Sequence, residues 1–444
     1  MLHVLLFFST YLTGLIYSLW RNPAMIFVLY EAVYFFNPKV RWWSFMVPNL
    51  PYSMFVVLAM FVIFALTFKQ ANQNPIFKVP QLRWMLMLGL LYLLVTVNAV
   101  LPDFHHQATI YYLKMMLIVC IAYKLVDSAK KIDWALWGYI FGSWYIGIVA
   151  FQTGRNSSGR VEGIGTVDSP DANGIAAAIA PSLVLCLYYF WIRADLKSRV
   201  ALAFAGVFIA NGIVLINSRG AFLAVALSIA YFMYHMYFSS FQRKNQKKFA
   251  VFITIVGLLG AVKIMDSSFI ERMHTMATHS SEQTYDDESE SGSTRFIFWA
   301  SAWEMSKDHP MGAGFRAFNF YAPYYIPEDI DTGGSRHRSV HSSWFETLTE
   351  TGFIGLFVMC MMIWASLRST KQCKRVLKDT GQVDDYFKVI AIEGALIAFV
   401  IAMTFLNRMR AEVLYWCILY TACAYNVYVL KTRPLVQKSV RGDG

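Results

Sequence analysis

Charge is scarce in this chain. Only 15% of its 444 residues are Asp, Glu, Lys or Arg, against about 25% in an ordinary soluble domain. That scarcity argues against a soluble globular protein. The apolar runs lack the strict alternation of a membrane barrel, which leaves helices. There is no G-x-x-x-x-G-K loop and no Cys/His spacing of the zinc type, so neither an ATP-driven mechanism nor a structural metal is expected. The six cysteines, Cys120, Cys186, Cys360, Cys373, Cys417 and Cys423, lie in apolar runs or in basic connections. They read as small buried hydrophobes, not as a disulfide framework. No basic stretch precedes the first apolar run and no cleavage site follows it, so it reads as a retained helix.

What the chain does have is long apolar runs. They fall at 4–19, 24–36, 51–68, 84–101, 110–126, 134–151, 175–192, 200–216, 221–238, 249–265, 344–367, 389–406 and 411–430. Most approach the ~20 residues a helix needs to cross a hydrocarbon core. The second is short and also fits a re-entrant segment. The expected fold is all-α, a polytopic membrane bundle of about 12–14 transmembrane helices with one large, partly helical extracytoplasmic loop.

The net charge of +11 has a membrane explanation. One alternating set of connections, with the C-terminal tail, holds 24 of the 39 Lys and Arg residues, and the opposite set holds 13. The basic side is cytoplasmic. The long polar loop at 267–343 therefore lies outside, and the N-terminus with it. Nucleic acid is not an expected partner. The chain divides into N-terminal helices (1–266), the loop (267–343) and C-terminal helices with a cytoplasmic tail (344–444).

Five of the nine histidines fall in that loop, namely His274, His279, His309, His337 and His341, with Arg272, Arg295, Arg316, Arg336 and Arg338. Its first part, with the acidic insert 282–290, reads as a mobile tether. In the second part, the spacing of Phe296, Trp299, Ala300 and Trp303 predicts a helix over 294–308, lying at the headgroup level. Pro310, Gly312 and Gly314 end it.

Arg219 stands in the very short connection Asn217-Ser218-Arg219-Gly220. The flanking helices must form a tight hairpin with Arg219 at the outer membrane face. An arginine at bilayer depth costs about 2.5–3.5 kcal/mol on insertion scales, so it usually has a partner or ligand. It also fits a snorkelling residue at a helix end. Several guanidiniums aimed at one place suit a diphosphate, because each planar fork donates two hydrogen bonds. A histidine beside them suits general-base work on a hydroxyl. The candidate set is Arg219, Arg295 and His341, with Arg155, Arg160, Asp171, Arg316, Arg336, Arg338 and Glu350 as candidates for substrate contact.

Three segments carry a resemblance: Asn217-Ser218-Arg219-Gly220-Ala221, then Arg295-Phe296-Ile297-Phe298-Trp299 with Pro310-Met311-Gly312-Ala313-Gly314-Phe315, then His341-Ser342-Ser343-Trp344-Phe345-Glu346 ending in Glu350-Thr351-Gly352. Together, and in this order, they resemble the motifs of the O-antigen ligase/polymerase superfamily of bacterial inner membranes. Ser169-Pro170-Asp171-Ala172-Asn173 is similar to a further element of that family, and the resemblance covers roughly 159–364. The stretch from Phe36-Asn37-Pro38 to Pro51-Tyr52-Ser53 resembles the O-glycosylation ligases found with exosortase systems.

The resemblance implies glycan transfer from an undecaprenyl-diphosphate carrier to a hydroxyl on a lipid, glycan or protein acceptor, at the periplasmic face of the inner membrane. It implies no cofactor and no metal. His341 would deprotonate the acceptor, and Arg219 and Arg295 would hold the diphosphate. A repeat-unit polymerase of the same superfamily and, from another class, a polysaccharide transporter or export subunit are the competing expectations. Lys114 and Lys263 lie within apolar runs and Glu393 near the end of one, a sparse pattern that disfavours a transporter.

Overall fold

The computed structural model describes residues 1–157, 159–169, 171–265, 292–330, 332 and 334–432. Pro170, Arg272, His274, His279, the acidic insert 282–290 and the tail beyond Thr432 lie outside the described residues.

Regular structure among the described residues is entirely helical. In chain order it comprises α1 (Leu2–Trp20), α2 (Met25–Phe36), α3 (Tyr52–Leu66), α4 (Phe68–Ala71), α5 (Pro80–Val95), α6 (Pro102–Leu125), α7 (Ala129–Thr153) and α8 (Ala172–Ile192). Then come α9 (Leu196–Ile216), α10 (Arg219–Phe238), α11 (Gln246–Ile264), α12 (Gly292–Asp308), α13 (Ala317–Tyr325), α14 (Ser343–Asp379), α15 (Val383–Met403) and α16 (Glu412–Tyr425), with short 3-10 turns and a π-helical end between and after them.

Each of the thirteen apolar runs is built into a helix. Among the described residues ten helices are long and apolar enough to cross a membrane, and Tyr52–Leu66 with Phe68–Lys78, bent by 83°, makes an eleventh. Helices α2 and α11 fall outside that count. At 12 residues, α2 is about 18 Å long, too short for a ~30 Å hydrocarbon layer. It is nevertheless almost wholly buried, so it acts as a wedge inside the bundle.

Burial grades across the bundle. The span at Glu412–Leu430 is 89% buried and the span at Ala172–Ile192 83%, whereas α1 is only 17% buried. Leu5, Leu12 and Ile16 of α1 stay exposed, as lipid-facing side chains do. Between α7 and α9 the backbones touch. A Cβ on Gly147 would lie 2.5 Å from the Phe208 carbonyl oxygen. Small residues permit this approach where no hydrophobic effect separates helix from lipid.

Local signals set several ends. Asp171 and Asp195 cap α8 and α9 by accepting from the Gly174 and Ser198 amides at 2.8 Å. Asn217 closes α9 in the left-handed region (φ 60°, ψ 45°), and α10 begins two residues later. This is the tight hairpin the sequence requires, made possible by asparagine's tolerance of that conformation.

The segment expected to be helical over 294–308 forms α12. Its buried stripe is Phe298, Ala302 and Met305, packed with Ala313, Phe318, Ile326 and Val340 into a small core of their own. Phe296 and Trp303 remain exposed.

Candidate functional site

Helix α14 is broken near its start. Gly352 sits at φ 71°, ψ −172°, a conformation essentially reserved for glycine. The break frees carbonyls that would otherwise bond within the helix. Ala313 and Gly314 donate to Thr349 O and Glu350 O at 3.0 Å each, and Phe353 N donates back to Pro310 O at 3.1 Å. The fit has no room for a side chain: a Cβ on Gly352 would stand 2.2 Å from Pro310 O, and one on Gly312 2.5 Å from Glu350 O. The Pro310–Gly314 turn and the Glu350-Thr351-Gly352 segment are thus two halves of one backbone joint. It seats α12 and α13 on the membrane helices. Gly352→Ala is expected to cost about 2–3 kcal/mol, read as a lowered melting temperature in nanodiscs. Gly257→Ala, with nothing within 4 Å, should leave it unchanged.

The joint aims Glu350 inward, where it meets the loop 404–411 between α15 and α16. Arg410 on that loop donates to Glu346 Oε1 at 2.7 Å and Glu350 Oε1 at 3.2 Å, makes a second, shorter contact with Glu350 Oε2, and donates to Tyr92 Oη at 2.8 Å. Its guanidinium lies 4.3 Å over the Phe315 ring. Burial works against its charge, but the Glu350 carboxylate, with Tyr92 and Glu346, holds the guanidinium well above its usual range. Arg316 donates its backbone N–H to Glu350 Oε1 at 3.2 Å, and its guanidinium stacks over Phe104. His105 supports the same corner. It accepts from Phe315 N at 3.0 Å through Nδ1 and bonds Tyr92 O at 2.9 Å through Nε2, which fixes the proton on Nε2.

A second arginine of the loop, Arg408, forms an ion pair with Asp171 and donates to Asp168 O at 3.0 Å. Asp168 in turn accepts from Tyr34 Oη, from Ser169 Oγ at 3.0 Å and from Glu412 N at 2.8 Å. That last bond puts a carboxylate on the N-terminus of α16, where the helix dipole favours it.

The predicted basic residues gather on the other flank of the same loop. Arg219 stands within electrostatic reach of Arg295 and Arg160. Arg295 donates to Phe405 O at 3.5 Å, and Gly220 packs on the Phe405 ring. Arg160 bonds Asn173 Oδ1 at 2.8 Å and Ile216 O at 3.4 Å, while Arg155 bonds Val214 O at 2.9 Å and Leu215 O at 3.4 Å. Both therefore cap the C-terminal carbonyls of α9, where cations are favoured.

His341 lies on an extended strap at 339–342 that is tied to the loop. Ser342 N donates to Asn407 Oδ1 at 3.0 Å, Ser343 Oγ to Leu406 O at 2.7 Å, and Asn407 Nδ2 to Ser339 Oγ. His341 itself takes φ 49°, sparsely populated for a residue with a Cβ. Arg336, by contrast, sits away from this cluster. Its guanidinium donates to the carbonyls of Ile326, Pro327 and Ile330, holding the turn after α13. Arg338 follows on the strap, its N–H bonded to Arg336 O at 2.9 Å.

Between strap, loop and α6 opens a cavity of about 740 Å³, with Asp168, Phe315, Glu350, Arg408 and Arg410 among its walls. Sequence reasoning named Arg316 and Glu350 among these walls and Asp171 beside Arg408, and missed Asp168, Glu346, Arg408 and Arg410. A local signal existed. Glu346 and Glu350 are four residues apart on one helix, a like-charge pair that is unfavourable unless a cation sits between them. Arg408 and Arg410 stand in a short connection between apolar runs, as Arg219 does.

No curated protein matches the chain. Residues 204–360, however, match the family model described as O-Antigen ligase. That stretch contains Arg219, Arg295, the glycine joint and His341, and ends before Arg408 and Arg410. Through that stretch this multi-pass helical chain is similar to the O-antigen ligase/polymerase superfamily, whose activity is glycosyltransferase-like.

Proposed function

We propose that the protein is an inner-membrane glycosyltransferase of O-antigen ligase type. It transfers a glycan from undecaprenyl diphosphate to an acceptor hydroxyl at the periplasmic face. The observation that carries this reading is that Arg219, Arg295 and the His341 strap all rest on one loop, 404–411, through Phe405 on one flank and Leu406 and Asn407 on the other. A lipid-held diphosphate reaches the basic flank without leaving the bilayer, and an acceptor approaches the strap from the other side.

In this reading His341 takes the proton of the acceptor hydroxyl. The oxygen attacks the anomeric carbon, the bond from that carbon to the diphosphate breaks, and the configuration inverts. Arg219 and Arg295 hold the diphosphate and offset the charge that builds on it. Arg160 adds positive potential from behind. No cofactor enters the scheme, and no metal is assigned a part in it.

The test is a transfer assay with purified protein in nanodiscs, an undecaprenyl-diphosphate-linked oligosaccharide and candidate acceptors. Arg219→Ala and Arg295→Ala should each lower transfer about 10²–10³-fold, and Arg219→Lys should recover part of it, since a point charge replaces a fork. Transfer that survives both alanine variants sinks the reading. Products extended by several repeat units would identify a polymerase of the same superfamily.

A further inference from the structure

On the opposite side of the bundle, residues 193–199 join α8 to α9 and residues 239–248 join α10 to α11. Together they hold seven basic residues and one acid, Asp195. A basic connection by itself only orients a chain across a membrane. Here the side chains are also held in place. Arg193 stacks on two rings, its guanidinium carbon 5.5 Å from Trp137 and 5.9 Å from Tyr189. Arg199 donates through Nε to Arg193 O at 2.6 Å and lies 5.6 Å over the Phe249 ring of α11. Arg243 ties the two connections together by donating to Ile192 O at 3.3 Å. Lys247 and Lys248 stand exposed in the first turn of α11.

Little compensates this charge. Asp195 is engaged as the cap of α9, where it accepts from Ser198 N at 2.8 Å, and Asp384 lies 3.9 Å from Arg243. Among the described residues, Arg193, Arg199, Lys247 and Lys248 enter no ion pair. From the same turns onward both helices present apolar side chains. Leu196 and Val200 of α9 are 75% and 59% exposed, and Phe252 and Ile255 of α11 are 54% exposed each.

We infer that this corner is a binding site for an anionic phospholipid, which joins a phosphodiester headgroup to acyl chains. Planar guanidiniums match phosphate oxygens, and stacking on aromatic rings holds them ready. Basic pockets between membrane helices bind such headgroups. A free phosphate or an acidic peptide uses the charge and leaves the apolar stripes bare, whereas an amphiphile uses both. The bound lipid has a structural part. Helix α11 is packed sparsely, for a Cβ on Gly257 or Gly260 would meet nothing within 4 Å. A headgroup held by Arg193 and Arg199 on one side and by Lys247 and Lys248 on the other pins α11 to the bundle. That helix precedes the loop carrying Arg295 and His341.

The experiment titrates phosphatidylglycerol onto the full-length protein in neutral detergent and reads retained lipid by native mass spectrometry. Saturable binding is expected. Arg193→Gln with Arg199→Gln should weaken it about 25-fold, since each basic residue near an anionic headgroup contributes about fivefold. Lys247→Gln with Lys248→Gln should do the same, and carries the test if the arginine pair fails to fold. Lys69→Gln with Lys78→Gln removes equal charge from another exposed place and should change nothing. Equal weakening in all three double variants, or in none, overturns the site. Displacement of the lipid by inorganic phosphate or by hexaglutamate assigns the corner to another anion and overturns it too. In nanodiscs, replacing part of the phosphatidylcholine by phosphatidylglycerol should raise the melting temperature of the unmodified protein and not that of the two weakened variants. A rise shared by all of them removes the structural part. None of these readouts uses glycan transfer, so the site and the functional reading fail separately.

Discussion

His341→Ala should lower glycan transfer by about 10²–10⁴-fold, the usual contribution of a general base, while the melting temperature stays close to that of the unmodified protein. Two observations set this expectation. The strap is held by its neighbours, through Trp299 to Val340 O, Ser342 N to Asn407 and Ser343 Oγ to Leu406 O, so the backbone survives loss of the imidazole. The φ of 49° at His341 is a cost of order 1–3 kcal/mol that persists only where the surroundings enforce it. Alanine bears a similar cost, so stability changes little. His341→Asn, which tolerates the left-handed region better, should be no less stable than His341→Ala and equally inactive. An imidazole added to the assay should restore part of the activity of His341→Ala. A variant that transfers at the unmodified rate would remove His341 from the mechanism. One that loses activity together with several degrees of melting temperature would make it a structural residue.

Arg410→Ala should act the other way, mainly on stability. Glu346 and Glu350 have side chains only 9% and 3% exposed, and Arg410 is their shared cation. Removing one member of a buried ion pair costs about 3–5 kcal/mol, because the other charge is left buried without compensation. Here two carboxylates would be left, four residues apart on one helix. The melting temperature in nanodiscs, followed by tryptophan fluorescence, should fall steeply. Arg410→Lys should be intermediate, since one ammonium cannot reach Glu346, Glu350 and Tyr92 with a fork's geometry. Glu350→Gln added to Arg410→Ala should recover part of the loss by removing one uncompensated charge, while the amide still accepts from the Arg316 N–H. An unchanged melting temperature in Arg410→Ala would mean that the cluster serves ligand binding without supporting the loop.

Two arginines of the loop 404–411 anchor it, and a second group of arginines lies against its other flank. Arg408 and Arg410 are matched by carboxylates and hold the loop to α8 and α14. Arg219 stands within electrostatic reach of Arg295 and Arg160.

The apolar runs by themselves determined where helices form, because burial in lipid or in a bundle needs nothing beyond continuous hydrophobicity and internally bonded backbone, but among the described residues ten of them, or eleven with the bent pair, are long and apolar enough to cross a membrane, fewer than the 12–14 expected. Charge counts along the connections gave the expected sidedness. Proline and glycine at 310, 312 and 314 marked the turn, and Asn217 the hairpin, since those residues relieve local backbone sterics. Which segments meet was decided only in three dimensions. Nothing near Pro310 in the sequence states that its turn docks into a break at Gly352, because the fit depends on two backbones approaching until no Cβ can enter. The connection at 404–411 held none of the candidate residues, yet it is the piece on which the arms bearing Arg219, Arg295 and His341 rest. Its contacts reach partners 60 to 318 residues away. Ion pairing is set by proximity in space and by loss of solvent, and a linear pattern of charges records neither.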